Sequence, residues 1–280
     1  VGIGVALFVE PCGQGWESAT VSREADGGFS VASGASSQGQ DHATLFAALA
    51  AEVLGVPAAS IRVREGDTAT TPTGIGALAS RSTAIGGSAV AAAARGLRER
   101  LAAAPPGTPV HAHAVYTAAR EAWSSGCMIA LVSVDPETAQ PAVERLVWVE
   151  DAGRLIDPVA AHAQCVGGLV QGLGSVLLEA LRYDDAGQLQ TGSLLDYPIP
   201  RIDQRPGSLR IESAPTATDA NPLGARGVGE AGCVAAPPAI LNAVLDALAP
   251  HGVRELTPPL TAARLWSALR AARLPPEPAP

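Results

Sequence analysis

The chain is 280 residues long, room for two domains or one elongated double unit, and its 19 basic residues are all arginine against 27 acidic ones, for a net charge of −8. That balance argues against a nucleic-acid partner, and the lack of lysine excludes a P-loop, a Ser-x-x-Lys acyl enzyme and a Schiff-base lysine. Apolar residues make up 47% of the chain but aromatic ones only 4%, so close packing of small side chains is expected, with many of the 30 glycines and 23 prolines in turns and ligand-hugging loops.

In chain order, Gly2–Glu10, Trp16–Arg23 and Phe29–Ser33 are short β-branched runs separated by Gly-rich turns, and the spacing predicts an antiparallel meander. Ala43–Leu54 has apolar residues at helical spacing and closes at Gly55, a C-cap. Ile61–Arg64 reads as a brief strand, and an Ala-rich helix runs from Gly86 to Ala103. Ala104-Pro105-Pro106-Gly107 is the expected boundary between a first subdomain, 1–104, and a second, 108–273.

The second half opens with strands Val110–Tyr116, Cys127–Val134 and Ala142–Glu150, the last two joined at Asp135-Pro136-Glu137-Thr138. A helix with internal glycines follows from Pro158 to Glu179, then a hairpin around Tyr183–Gln190 and an irregular Pro-rich stretch from Tyr197 to Gly224. Helices are predicted over Pro237–Leu248 and Ala262–Ala272, with a frayed proline tail over 274–280. Strands followed by helices without steady alternation imply an α+β fold: two layered α/β subdomains with mostly antiparallel sheets.

Cys12, Cys127, Cys165 and Cys233 are far apart and form no C-x-x-C pair, which argues against an iron–sulfur or structural zinc site in this chain and fits a reducing, cytoplasmic compartment. His111 and His113 share a strand face but have no third ligand in view, so no metal site is assigned. The opening Val1–Val9 lacks the basic n-region of a signal peptide, and no apolar run reaches the ~18 residues of a membrane span. The only methionine is Met128 and the chain opens inside a strand, so a processed, truncated or GTG-started subunit is expected.

Four Gly-rich segments stand out: 37–44, 74–83, 164–172 and 221–232. Each is expected in or beside a loop-to-helix junction, where free backbone N–H groups donate to anions and glycine permits close approach. The last contains G-x-G-x-x-G at Gly227, Gly229 and Gly232, but a loop precedes it, so a dinucleotide-binding βαβ unit is not supported. Glu230 lies among glycine and alanine at the mouth of a helix, either as an acid of the first helical turn or as a carboxylate close to a ligand.

Taken in order, the four segments resemble the C-terminal molybdenum-cofactor-binding part of the xanthine dehydrogenase/aldehyde oxidase/carbon monoxide dehydrogenase large subunits. Supporting matches are Glu65-Gly66-Asp67-Thr68, Asp151 to Pro158, Leu195 to Pro200 and Pro258-Pro259-Leu260-Thr261. The resemblance implies that Gly39, Gln40, Asp41, His42 and Thr44 form the loop around the pterin and its phosphate, and that Ala79 lies by the metal centre. It also places Ser80, Arg81, Ser82 and Thr83 near the cofactor's nucleotide end, with Gln164, Gly227 and Gly229 as further cofactor contacts. Glu230 matches the catalytic glutamate, a general base in oxidative hydroxylation of an aldehyde or N-heterocycle with water as oxygen source.

The implied cofactor is molybdopterin in its cytosine dinucleotide form, carrying molybdenum. The implied partners are the N-terminal half of the molybdenum subunit as a separate chain, a [2Fe-2S] subunit and an FAD subunit, without which the enzyme is inactive. A non-catalytic cofactor-binding or structural subunit is the alternative. The sequence departs from the family at Asp41, where glycine is usual, and at Arg226, which replaces a common lysine.

Overall fold

The computed structural model describes residues 1–273. The proline tail expected at 274–280 lies outside the described residues. In chain order the elements are β1 (Gly2–Pro11), β2 (Trp16–Arg23), β3 (Phe29–Ser33), α1 (His42–Leu54), β4 (Ile61–Arg64), α2 (Gly87–Ala103), β5 (Val110–Thr117), β6 (Trp123–Val134), β7 (Pro141–Asp151), α3 (Pro158–Leu177), β8 (Ser208–Ser213), α4 (Ala231–Leu248) and α5 (Ala262–Arg273).

The strands form two four-stranded sheets, ordered β1-β6-β7-β8 and β4-β3-β2-β5. Within each, only the β7–β8 or β3–β4 pair is parallel. The runs β2-β3-α1-β4-α2 and β6-β7-α3-β8-α4 therefore share one topology, each a hairpin followed by a helical crossover to a parallel strand and a second helix. The strand before each run joins the opposite sheet: β1 pairs with β6, and β5 with β2.

This exchange corrects the expected β1-β2-β3 meander, because only β2 and β3 form the hairpin. It also means that a division at 104–108 leaves β1 and β5 each in the half whose sheet it does not join. β1 goes to β6 because its inward residues Gly2 and Gly4 let it lie directly against the backbone of α4. β8 is a second correction, lying within the stretch read as irregular. Its sequence SLRIES is mostly exposed and alternates over only two apolar residues, Leu209 and Ile211, too short a signal by itself, and the parallel Trp148–Ile211 register supplies the pairing.

The helix ends follow local chemistry. Asp157 accepts from the N–H groups of Val159 and Ala160 at 2.9 and 3.0 Å ahead of Pro158, and Gly55 closes α1 in the left-handed conformation. α4 begins at Ala231, well before the expected Pro237, and carries Pro237 and Pro238 inside it. Those prolines withhold two helical N–H donors, and packing of the first turns of α4 on α3 offsets the loss.

Two apolar cores result. One lies between the β1-containing sheet and α3, α4 and α5, centred on Trp148 with Phe8 edge-on at 6.2 Å. The other, rich in alanine, lies between the second sheet and α1 and α2. The segment Ala231–His251 has the length and hydropathy of a membrane-crossing helix, but half of that window is buried in the first core.

Candidate functional site

The shared topology has a direct consequence for chemistry. The N-termini of α1, α2, α3 and α4 all converge on one open cavity of about 280 Å³. It is lined by Gln40, Asp41 and His42 at the start of α1, Ala79, Ser80, Ser82 and Thr83 ahead of α2, residues 154–157 and Gln164 at the start of α3, and 226–230 leading into α4. Each helix N-terminus carries roughly half a positive charge, so their convergence favours an anionic ligand, although at α3 the first N–H groups are already taken by Asp157.

Backbone strain concentrates here. Among the described residues, four non-glycine positions have positive φ, and three of them, Asp41 (56°), Ala79 (46°) and Ser80 (53°), line the cavity. Such conformations cost about 1–2 kcal/mol each and persist where the surroundings enforce them. At Ala79 and Ser80 the enforcement comes from the loop ahead of α4. A Cβ on Gly227 would overlap the Ser80 carbonyl oxygen, and one on Gly229 would meet Ser80 Oγ at 2.8 Å.

That second loop is itself clamped. Buried Asn221 accepts from the N–H groups of Leu223 and Ala225 and donates to the Ala225 carbonyl at 2.8 Å. Arg226 donates to Asp151 at 2.7 Å and to the Trp123 carbonyl at 3.0 Å. The Gly227 N–H donates to Cys12 Sγ at 2.9 Å. Gln164, on α3, donates through Nε2 to the Gly229 carbonyl at 3.0 Å. Glu230 then occupies the N-cap position of α4 with its side chain exposed to the cavity, its N–H donating to Ser80 Oγ at 3.0 Å.

His42 is 5% exposed, lies against the Phe46 ring at 5.4 Å, and has a buried Nδ1 with no hydrogen-bond partner. Burial holds its pKa below the usual imidazole value, so the ring is neutral at neutral pH. Arg226 Nε is likewise buried and unpaired. Both residues line the cavity. Asp41 caps α1, accepting from the Thr44 N–H, and Asp157 caps α3 at the equivalent place in the second run.

The sequence-derived residues divide accordingly. Gln40, Asp41, His42, Ala79, Ser80, Ser82, Thr83, Gln164, Gly227, Gly229 and Glu230 all line the cavity. Thr44 and Gly39 do not, although Thr44 is held to Asp41 and Gly39 takes φ 100° in the turn.

Arg81 is a correction: its guanidinium turns away from the cavity. It is buried against Glu17 at 2.5 Å and donates to the carbonyls of Gly76, Trp16 and Gln14. With four of its five N–H donors engaged internally and its side chain buried, this arginine holds the loop and does not face the cavity. The segment 164–172 is also corrected. It lies within α3, not at a loop-to-helix junction, and Gly168 and Gly172 serve the crossing with α4.

Sequence reasoning missed Glu10. It is 4% exposed at the inward end of β1 and reaches Ser80 Oγ with one carboxylate oxygen and Ser124 Oγ, at 3.3 Å, with the other. Its signal was an acid at an inward position of a strand. The unbroken apolar run before it hides which face is inward.

Residues 1–107 and 105–206 match the model of the molybdopterin cofactor-binding domain. The chain is 33% identical over 90% of its length to the nicotine 6-hydroxylase large subunit of Paenarthrobacter nicotinovorans, covering 38% of that protein. It is 28% identical over 96% of its length to the carbon monoxide dehydrogenase large chain of Hydrogenophaga pseudoflava, covering 40% of it. Among solved structures, quinoline 2-oxidoreductase from Pseudomonas putida 86 superimposes with a TM-score of 0.88 at 31% identity, over 96% of this chain and 42% of that one. A Cu,Mo-CO dehydrogenase superimposes at 0.90 and 26% identity, over 97% and 41%. The chain thus spans about two fifths of the length of these relatives. With three quarters of its residues inside the matched model, the chain belongs to the molybdopterin cofactor-binding domain family, in the xanthine dehydrogenase group of molybdenum-binding subunits.

Proposed function

We propose that this chain is the part of a molybdenum hydroxylase large subunit that cradles the pterin cofactor and supplies the catalytic base, Glu230. The observation that carries the reading is Glu230 itself, an exposed carboxylate at the cavity where four helix N-termini converge. The residues present fit the cofactor. His42 Nδ1 and Arg226 Nε are buried polar atoms without protein partners at this cavity, and the helix starts offer N–H donors to phosphate. When bound, the molybdenum–pterin supplies the two-electron redox chemistry that no side chain provides.

The chain's own residues do the rest. Converting a C–H bond to C–OH with water as oxygen source releases two electrons and two protons, and the Glu230 carboxylate accepts a proton as base. Gln164 and Ser80 hold the loop that carries it, through the Gly229 carbonyl and the Glu230 N–H. The substrate class is an aldehyde or an electron-poor N-heterocycle. The cofactor is the cytosine dinucleotide form, with Ser82 and Thr83 toward its nucleotide end.

The cavity is open and, at about 280 Å³, stands at the lower end of the ~300–1,000 Å³ of ligand pockets. An N-terminal half on a separate chain closes the remainder in our reading. Electrons leave to a [2Fe-2S] subunit and an FAD subunit. Four unpaired cysteines favour a cytoplasmic location.

The test is the purified complex with its partner chains. Wild type is expected to contain molybdenum and to be reduced by substrate. Glu230→Gln is expected to keep the metal while kcat falls about 10²- to 10⁴-fold, the worth of a general base. A complex without molybdenum, or a fully active Glu230→Gln, refutes the reading.

A further inference from the structure

Behind Glu230 lies a second carboxyl group that the reaction as described does not use. Ser80 Oγ stands between them. It contacts Glu10 on its buried side, approaches Glu230 Oε2 at 3.5 Å, and accepts the Glu230 N–H at 3.0 Å. A serine hydroxyl has one hydrogen to give and room for two to accept. With the Glu230 N–H in one acceptor position, the hydroxyl hydrogen goes to either Glu10 or Glu230, and while Glu230 is ionised a proton on Glu10 leaves that hydrogen for Glu230.

If Glu10 carries its proton, it donates to Ser80 Oγ, the Glu230 N–H fills the second acceptor position, and the hydroxyl hydrogen is left for Glu230 Oε2. If Glu10 is ionised, it takes the hydroxyl hydrogen for itself. Glu230 then loses its donor and gains a like charge behind it.

We propose that Glu10 is a positioning residue for Glu230, turning the Ser80 hydroxyl onto the Glu230 carboxylate by donating its own carboxyl hydrogen to Ser80 Oγ. The proposal rests on the reading of Glu230 as the base. It deepens that reading by adding an upper pH limit to the site.

The surroundings shift Glu10 toward its protonated form. Burial is the main effect raising the Glu10 pKa above the ordinary carboxylate value, and the Glu230 charge adds to it, while the hydroxyls of Ser80 and Ser124 and the Glu230 N–H oppose it. The other titratable groups that feel the Glu10 charge are thiols: Cys12 just after β1, Cys165 on α3 and Cys233 on α4. The arginines of the adjoining loops are committed elsewhere, Arg81 to Glu17 and Arg226 to Asp151. The direction of the effect follows. Below the raised pKa, Glu10 is neutral and Glu230 is held; as pH rises through it, the hydroxyl turns away and turnover falls.

The test uses the assembled complex with its partner chains. Glu10→Ala is expected to lower kcat about 10- to 100-fold with KM little changed, the scale of a misplaced catalytic group. Glu10→Gln, whose amide also donates to Ser80 Oγ, is expected to recover most of that loss and to remove the alkaline limb of the pH–rate profile. In a Ser80→Ala background, the difference between Glu10→Ala and Glu10→Gln is expected to vanish. Infrared spectra add a readout independent of turnover: a protonated-carboxyl C=O stretch, present on the acidic side of the alkaline limb and lost across it, that Glu10→Gln removes.

Equal damage from Ala and Gln, an alkaline limb unchanged in Glu10→Gln, a difference that survives Ser80→Ala, or no carboxyl stretch lost would each overturn the proposal. If Glu10→Ala fails to fold, the pH profile and infrared spectrum of Glu10→Gln decide it alone. The failure of the underlying reading is distinct. There Glu230→Gln would itself be fully active or the complex would hold no molybdenum, whereas here Glu230→Gln is inactive and only the Glu10 signatures are missing.

Discussion

Glu150, at the end of β7, is 5% exposed and has a buried Oε2 with no hydrogen-bond partner. Burial, with a smaller contribution from the Asp151 charge, raises its pKa despite the Ser213 hydroxyl. A carboxyl raised in the folded state adds stability that is fully present below the unfolded pKa, ~4.3, and is lost as pH rises through the folded value. Glu150→Gln removes that loss. The variant is therefore expected to gain in thermal stability relative to wild type between about pH 4 and pH 8, and equal differences in Tm at both ends would contradict this.

Asp41 is a second case in which one residue balances two effects. Its left-handed backbone costs about 1 kcal/mol, and its side chain caps α1. Asp41→Gly relieves the strain and loses only a few tenths of a kcal/mol of capping, so Tm should move little or rise. Asp41→Ala keeps the strain and loses the cap, and unfolding curves should show about 1–2 kcal/mol lost. The departure from glycine at this position is thus explained by a capping role equivalent to that of Asp157.

Helices α3 and α4 cross where Gly168 and Gly172 face Gly232 with backbone touching backbone. A Cβ on Gly232 would overlap the Leu169 amide, with no flexible side chain able to give way. Gly232→Ala should force the helices apart and cost on the order of 3 kcal/mol by overpacking, measurable by denaturant unfolding. It should also displace Glu230, two residues away, and reduce kcat together with stability. Sequence pattern located several helix ends well, because capping residues and helical periodicity are local properties: Gly55 closes α1 and Pro158 opens α3 as expected. It failed at β8 and at the start of α4, where pairing with β7 and packing on α3 override local preference.

Across the molecule, the exchange of β1 and β5 ties the two halves together. Fragments 1–104 and 108–280 each lack an edge strand of their own sheet, and each would expose apolar core where that strand belongs. Expressed alone they should be unfolded or aggregated, and co-expressed they should assemble, as size-exclusion chromatography and circular dichroism would report. Independent folding of either fragment would contradict the exchange. The same duplication brings four helix N-termini to one cavity, so the binding site is a property of the paired halves and of neither alone.

Much of the candidate site could be read from residue order, since glycines flanking polar residues at helix mouths are a local signature of a ligand loop. Within those segments the family resemblance picks out Gln40, His42, Ser80, Gln164 and Glu230, and all line the cavity. What the linear chain left open was direction. Arg81 and Ser82 are neighbours, yet one is turned inward onto Glu17 and the other faces the cavity. Glu10 and Glu230 are 220 positions apart and meet across a single hydroxyl. Side-chain direction and long-range meetings of this kind depend on which backbones pack against which, a choice made by the whole fold.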